Sequence, residues 1–163
     1  MPSSLVNSQL VVVIEDDDSL REMMCELLQL DGFKTFGCRS GADGLRAIRD
    51  LHPSVVTLDL HMPGMDGLEV LDSLSRNEAT SRVPVIVVSA YASDRRVRCS
   101  SQVKAVIQKP FEVDDLCNRV RRAANDQAWD RETGRLGDLT TPGRGDAEAL
   151  GREEVESYTS YPG

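Results

Sequence analysis

The segment VVTLDLHMPGMDG, residues 55–67, begins with an apolar run that stops abruptly on a carboxylate. Its first four residues are the β-branched and apolar types that fill a buried strand. Asp59 follows at once, and Met62, Pro63 and Gly64 then break the chain into a loop. A charge at the end of a strand suited to a core indicates a functional position there.

Five apolar segments of this kind recur, and segments with helical spacing separate them. The predicted strands cover residues 10–14, 33–36, 55–58, 83–88 and 103–107. The first helix is predicted to begin at a cap on Asp18 or Ser19 and to stop at 31–32. Further helices are predicted over 42–49, from Asp66, over 93–101 as a short and mobile helix, and over 113–123. This alternation predicts an α/β fold, a parallel sheet with helices on both faces.

The composition is that of one globular domain followed by a tail. The 163 residues are 40% hydrophobic and 28% charged, with a formal net charge of −8. That charge disfavours attraction to phosphate backbones, so direct DNA binding is not expected. No signal sequence or membrane anchor is visible at the start of the chain, which predicts a cytoplasmic protein without membrane association.

The four cysteines predict neither a zinc site nor a disulfide framework. They are scattered along the chain without a CxxC pair or a histidine cluster, at positions 25, 38, 99 and 117. We expect reduced thiols, most of them packed in the core.

The helical periodicity fades after residue 127 into a segment rich in Gly, Pro, Thr and acidic residues. We therefore predict a domain over 8–127 and an acidic, disordered or partly helical tail over 128–163. The tail holds four arginines and eight acidic residues, a net charge of −4. A short helix over 146–157 is one possibility within it. Thirty-six residues are too few for a DNA-binding or enzymatic output domain, so we expect output through binding, relay or the tail itself.

Polar side chains stand directly after four of the predicted strands. In an open parallel α/β sheet, ligands bind beyond the carboxyl ends of the strands. The residues predicted to meet at that edge are Glu15, Asp16, Asp59, Ser89 and Lys109. Carboxylates gathered at a partly buried edge repel one another unless a cation lies among them. Oxygen donors of this number suit Mg²⁺, which binds a few carboxylates and carbonyls and keeps several waters.

This set of side chains predicts phosphoryl chemistry. With a metal ion beside it, Asp59 can act as a nucleophile and form an aspartyl phosphate. Lys109 and Ser89 supply a fixed positive charge and a hydroxyl donor for the phosphoryl oxygens. Asp17 and Asp18 are expected to be solvent-exposed residues at the helix start, outside the site.

Residues 8–126 resemble the receiver domain of two-component response regulators. The matching pieces are VVVIEDDDSLRE, VTLDLHMPGMDGLEVL, PVIVVSAY and VIQKPF, in that order. The resemblance implies a flavodoxin-like (βα)5 sheet of strand order 2-1-3-4-5. It also implies a phosphorylation-activated switch of a two-component or phosphorelay system, not an enzyme in the usual sense. A histidine kinase or histidine phosphotransfer protein would be the donor, and an unidentified protein would be the downstream target.

The resemblance also implies residue roles. Glu15 and Asp16 would hold Mg²⁺ together with Asp59 and the backbone carbonyl of His61. Asp59 would accept the phosphoryl group, Ser89 would be the switch hydroxyl and Lys109 would contact the phosphate. The roles implied for three further residues are structural or protective: a cis peptide before Pro110, a close helix approach at Gly67, and shielding of the phosphate by Tyr91.

One position departs from the family pattern. Val106 occupies a site where receivers often carry a Tyr or Phe that moves during switching, so an aromatic switch is not expected. Two other readings stay open. A phosphohydrolase of the haloacid dehalogenase type also uses a strand-end Asp, but its pattern has a second acid where this chain has His61. A degenerate receiver could act only as a scaffold.

Overall fold

The computed structural model describes residues 9–91 and 93–133 of the chain. The elements in chain order are β1 (Leu10–Ile14), α1 (Asp18–Leu30), β2 (Lys34–Cys38), α2 (Gly41–Leu51), β3 (Val55–Leu58), α3 (Gly67–Ser75), β4 (Val85–Ser89), α4 (Arg95–Cys99), β5 (Val103–Gln108) and α5 (Val113–Thr133). All five strands pair in parallel, in the order β2-β1-β3-β4-β5. The predicted flavodoxin-like sheet and its strand order are confirmed.

β1 and β3 have the predicted bounds, whereas β2 and β4 begin later than the apolar runs. Phe33 belongs to the turn after α1, because its N–H donates to the carbonyl of Leu28 at 3.0 Å. β4 begins at Val85 because Pro84 has no N–H to donate to a neighbouring strand. The carbonyl of Pro84 still accepts from the N–H of Val56 at 2.9 Å.

The N-cap of the first helix lies one residue before the nearer of the two predicted caps. Asp17 is the N-cap, and its carboxylate accepts from the N–H of Leu20 at 2.8 Å. The prediction of Asp18 or Ser19 was therefore wrong, and Asp18 is instead the first helical residue, where a negative charge is favourable. α3 begins after Asp66 as predicted, with a capping box in which Asp66 and Glu69 bond reciprocally.

The sheet separates two layers of packed apolar side chains. Successive residues of a strand point to opposite faces, and both faces are covered, so the central strands are continuously apolar. α1 and α5 cover the face that includes Val11, Val13, Met24, Leu28, Leu116 and Val120. α2, α3 and the single buried residue of α4 cover the face that includes Val12, Ile14, Val56, Leu58, Val70, Leu74 and Val97.

α4 has five residues, as expected for a short fourth helix, and its mobility remains a prediction. α5 continues to Thr133, beyond the point where the periodicity weakens. The rest of the predicted tail, including the short helix over 146–157, lies outside the described residues.

All four cysteines are free. Burial raises the pKa of the Cys38 thiol to about 11 and also raises the pKa of Cys25 and Cys117, so these thiols are weak nucleophiles. No helix in the described part of the chain is long and apolar enough to cross a bilayer.

The start of α3 lies against the residue that ends β3. Gly67 donates its N–H to the carbonyl of Leu60 at 3.0 Å. A Cβ at position 67 would lie 2.4 Å from the carbonyl oxygen of Asp59 and 2.7 Å from the Cα of Leu60. Both of these neighbours are backbone atoms and cannot rotate away. Glycine at this position therefore allows α3 to begin beside the strand end.

We expect Gly67→Ala to destabilise the fold by about 2 kcal/mol, as overpacking against fixed backbone does. Ala is the better helix former, so helix propensity alone predicts the opposite sign. Urea unfolding followed by circular dichroism measures the difference. Ser75→Ala, at the other end of α3, is the control and should leave the midpoint nearly unchanged; an unchanged or higher midpoint for Gly67→Ala would contradict the close approach.

Candidate functional site

Three carboxylates converge at the carboxyl ends of β1 and β3. Glu15 and Asp16 follow β1, and Asp59 follows β3 and donates its N–H to the carbonyl of Ile14 at 3.0 Å. Glu15 and Asp59 are buried, with 2% and 5% of their surface exposed. One oxygen from each of the three carboxylates lies within 4.8 Å of the other two.

A single ammonium group joins two of these carboxylates. Nζ of Lys109 lies 2.7 Å from Oε2 of Glu15 and 3.5 Å from Oδ2 of Asp59. The backbone N–H of Lys109 donates to the carbonyl of Ser89 at 3.0 Å, which ties the end of β5 to the end of β4. The peptide between Lys109 and Pro110 is cis, as expected.

The surroundings of Glu15 disfavour its ionised form. Burial raises the pKa of the Glu15 carboxyl, the hydrogen bond from Lys109 opposes that shift, and the nearby charge of Asp59 raises the pKa further. Desolvation and a neighbouring like charge both disfavour the ionised carboxylate. A positive charge close to the carboxylate opposes both effects. The Lys109 ammonium supplies part of this charge.

Ser89 ends β4 and is fully buried. Its Oγ accepts from the N–H of Tyr91 at 3.3 Å. The N–H of His61 donates to Oδ1 of Asp59 at 3.3 Å, so the loop after β3 folds back over the carboxylate. The rings of His61 and Tyr91 meet edge to face, with centroids 5.3 Å apart. The two loops after β3 and β4 thus touch through these rings.

The six residues predicted to form the site therefore lie at this one edge. Four of them are in contact or within a few ångströms of one another: Glu15, Asp16, Asp59 and Lys109. Ser89 ends the adjacent strand, and the main chain of His61 adjoins Asp59.

Sequence reasoning missed one residue next to the site, Arg21. Its side chain is 8% exposed, and its guanidinium donates to the backbone carbonyl of Glu15 at 2.9 Å and bonds to the carboxylate of Asp18. A signal existed, because Arg21 falls three residues before Met24 and seven before Leu28 on the buried stripe of α1. A charged residue on a buried stripe indicates a buried partner.

The donor set suits Mg²⁺. The converging atoms are all oxygens, and three carboxylates beside one ammonium leave a net negative charge that a divalent ion balances. Within the described residues, this is the one acidic, histidine or cysteine group spaced to hold a metal ion.

Comparison with known protein families assigns the domain. Residues 11–121 match the model of the response regulator receiver domain. The chain belongs to this family. The expected membership is confirmed, and receiver domains function in two-component signalling.

The curated relatives differ in length from this chain. The regulatory protein AtoC of Escherichia coli (strain K12) is 33% identical over 126 residues, which are 75% of this chain and 26% of AtoC. The polar-differentiation response regulator DivK of Brucella ovis is 29% identical over 119 residues, which are 71% of this chain and 96% of DivK. The chain thus spans about a quarter of the length of AtoC and nearly all of the length of DivK.

Solved structures show the same fold. The receiver domain of the Francisella response regulator 1452 superposes with a TM-score of 0.66 at 26% identity, covering 73% of this chain and 98% of that chain.

We expect Lys109→Met to lower the stability of the metal-free receiver by about 2 kcal/mol, because two buried carboxylates lose their counter-charge. Adding Mg²⁺ should raise the melting temperature more in this variant than in the unmodified protein, because binding restores positive charge between the carboxylates. Melting curves in a chelator and in MgCl2 measure both effects. Lys104→Met, on the exposed side of β5, is the control; equal melting temperatures for all three proteins in chelator would refute the charge argument.

Proposed function

We propose that this receiver is a phosphorylation-activated switch that accepts a phosphoryl group on Asp59 with Mg²⁺. The observation that carries the proposal is the approach of the Glu15, Asp16 and Asp59 oxygens to within 4.8 Å of one another beside the Lys109 ammonium. An ordinary strand-end carboxylate would be expected to have neither the two acidic neighbours nor the partly buried cation beside it.

Each residue has a proposed role. The carboxylates of Glu15, Asp16 and Asp59 and the backbone carbonyl of His61 would hold Mg²⁺. When bound, the ion supplies positive charge next to the phosphoryl oxygens. Lys109 is close enough to Asp59 to exchange its contact with Glu15 for one with a phosphoryl oxygen. The Ser89 hydroxyl would donate to another phosphoryl oxygen.

The reaction is an in-line transfer. An Asp59 carboxylate oxygen forms a bond to phosphorus while the bond from phosphorus to the donor's imidazole nitrogen breaks, and that nitrogen keeps the electron pair. Water later attacks the phosphorus, which releases inorganic phosphate and restores the Asp59 carboxylate. Lys109 holds positive charge near the reacting oxygens in both steps.

The signal would leave the site through β4 and α4. Val106 is half-buried, pairs in register with Val87 and packs in the same cluster as Val97 of α4. An aliphatic side chain of this size lacks the large ring of the aromatic switch. We therefore assign the conformational response to Ser89, the loop that follows it and α4, which Val97 alone anchors as a buried residue.

We place the switch in the cytoplasm, in a two-component system or phosphorelay. Its donor would be a histidine kinase or histidine phosphotransfer protein, and its output would be contact with another protein. The net charge of −8 supports output without direct DNA binding. The domain proposed for this role covers 8–127, and the acidic segment 128–163 is proposed as a tail.

We expect acetyl phosphate and MgCl2 to add one phosphoryl group to the protein, as measured by intact mass. Asp59→Asn should abolish the mass gain because an amide oxygen is a poor nucleophile. Asp50→Asn, an exposed acid near the end of α2, should react as the unmodified protein does.

The same incubation separates the other functional classes. Repeated turnover of phosphomonoesters would instead identify a hydrolase. If the protein gains no mass with acetyl phosphate and MgCl2, the result would identify a scaffold.

We expect Tyr91→Ala to shorten the lifetime of the phosphorylated protein several-fold. The Tyr91 ring packs edge to face against His61, whose backbone N–H bonds to Asp59, and we expect its removal to give water easier access to the phosphoryl group. Tyr91→Phe keeps the ring and should keep the lifetime. Loss of the added mass with time, after removal of acetyl phosphate, gives the rate; equal rates for the Ala and Phe variants would exclude shielding.

A further inference from the structure

Arg21 is a buried cation that the proposed phosphoryl chemistry does not use. Its side chain is 8% exposed, whereas other paired arginines, such as Arg46 and Arg76, are more than 70% exposed. Burial of a guanidinium is unfavourable unless its charge is paired and its donors are bonded. Arg21 meets both conditions through the Asp18 carboxylate and the Glu15 carbonyl.

The bond to Glu15 fixes the peptide that links the two acidic residues of the site. The N–H of Glu15 donates to the carbonyl of Cys38 at 3.0 Å, and the carbonyl of Glu15 accepts from Nη1 of Arg21 at 2.9 Å. The carbonyl belongs to the peptide plane between Glu15 and Asp16. Holding that plane sets the direction in which the Asp16 side chain leaves the main chain.

Hydrogen bonds also connect α1 to the loop that precedes it, residues 15–17. The N–H of Arg21 donates to the carbonyl of Asp17 at 2.9 Å, and the N–H of Asp17 donates to Oε1 of Glu15 at 3.2 Å. Arg21 therefore contacts the loop through its backbone and its side chain.

β2 makes room for this arginine. A Cβ at Gly37 would lie 3.1 Å from Cδ and 3.2 Å from Cγ of Arg21, so the glycine leaves the space that the arginine stem occupies. Glycine inside a strand is otherwise unfavourable. Any larger residue at position 37 would therefore narrow the space of the Arg21 stem.

We propose that Arg21 is a positioning residue that sets the geometry of the Glu15–Asp16 pair for the divalent cation, with Asp18 neutralising its charge. The inference rests on the proposed magnesium site. Partners that orient metal ligands typically change metal affinity by tenfold or more when they are removed. Arg39, with Nε 3.4 Å from Asp18, adds a second cation to the same carboxylate from outside.

Charge and geometry predict opposite effects, which makes the inference testable. Removing a positive charge near the site should tighten Mg²⁺ binding, whereas releasing the Glu15–Asp16 peptide should weaken it. Arg21→Lys keeps the charge but lacks the planar fork that reaches two partners. The double variant Arg21→Gln with Asp18→Asn removes the contact and leaves the summed charge unchanged.

The measurement is the melting temperature of the full chain over a titration with MgCl2, which gives an apparent dissociation constant. We expect both variants to bind Mg²⁺ about tenfold more weakly than the unmodified protein. The matched control is Arg76→Gln with Asp72→Asn, an exposed pair on α3, and its constant should be unchanged.

Each outcome decides the question. A lower melting temperature without metal, but an unchanged dissociation constant, would mean that Arg21 is only structural and would overturn the inference. Tighter binding in Arg21→Lys or in the double variant would also overturn it. If neither variant folds, Gly37→Ala decides, because its Cβ would lie 3.1 Å from Cδ of Arg21 and shift the arginine stem by a few tenths of an ångström without deleting it. Weaker Mg²⁺ binding in this variant supports positioning, and unchanged binding overturns it.

Failure of the proposed function has a different signature. An unmodified protein whose melting temperature does not respond to MgCl2 would remove the magnesium site itself, together with this inference. An unmodified protein that responds, beside variants that respond equally, would remove only the role of Arg21.

Discussion

The contact of the Lys109 ammonium with two buried carboxylates is the interaction on which the site depends. Lys109 and Glu15 are 94 positions apart in the chain. Their strands are not neighbours, because β3 and β4 lie between β1 and β5. Adjacent strands are about 4.8 Å apart, so a side chain that reaches from β5 to β3 must be long. Lysine meets this requirement, and the strand that it crosses ends on the small side chain of Ser89.

This contact also allows the fold to contain two buried carboxylates next to each other. Without it, Glu15 and Asp59 would face each other as unpaired acids in a buried position, an arrangement that is unfavourable for folding. With it, the pair still carries a net negative charge that Asp16 increases. A divalent cation between the carboxylates would balance this remaining charge. The raised pKa of Glu15 reflects first its desolvation on burial and then the nearby charge of Asp59.

The sequence was sufficient to predict the sheet and the residues that converge at its edge, because strand ends are local features of the chain. Leu58 followed by Asp59, or Ile107 followed by Gln108 and Lys109, marks the end of an apolar run regardless of tertiary context. The cap of α1 was less accessible, since several consecutive residues there make good caps and only the tertiary fold selects Asp17. β2 was misplaced because it is an edge strand with exposed residues and weak alternation.

Arg21 shows why some residues of a site escape sequence reasoning. Its partner is a backbone carbonyl, which every residue carries and which no side-chain pattern can reveal. The importance of Gly37 is equally hard to see in the sequence, because this residue leaves space for another side chain. Both become visible only when α1 is packed against β2. The geometry of the Glu15–Asp16 loop therefore depends on contacts made by elements beyond the strand ends. A motif restricted to acids, hydroxyl and lysine names the groups that converge at the site but not the residues that hold them in place.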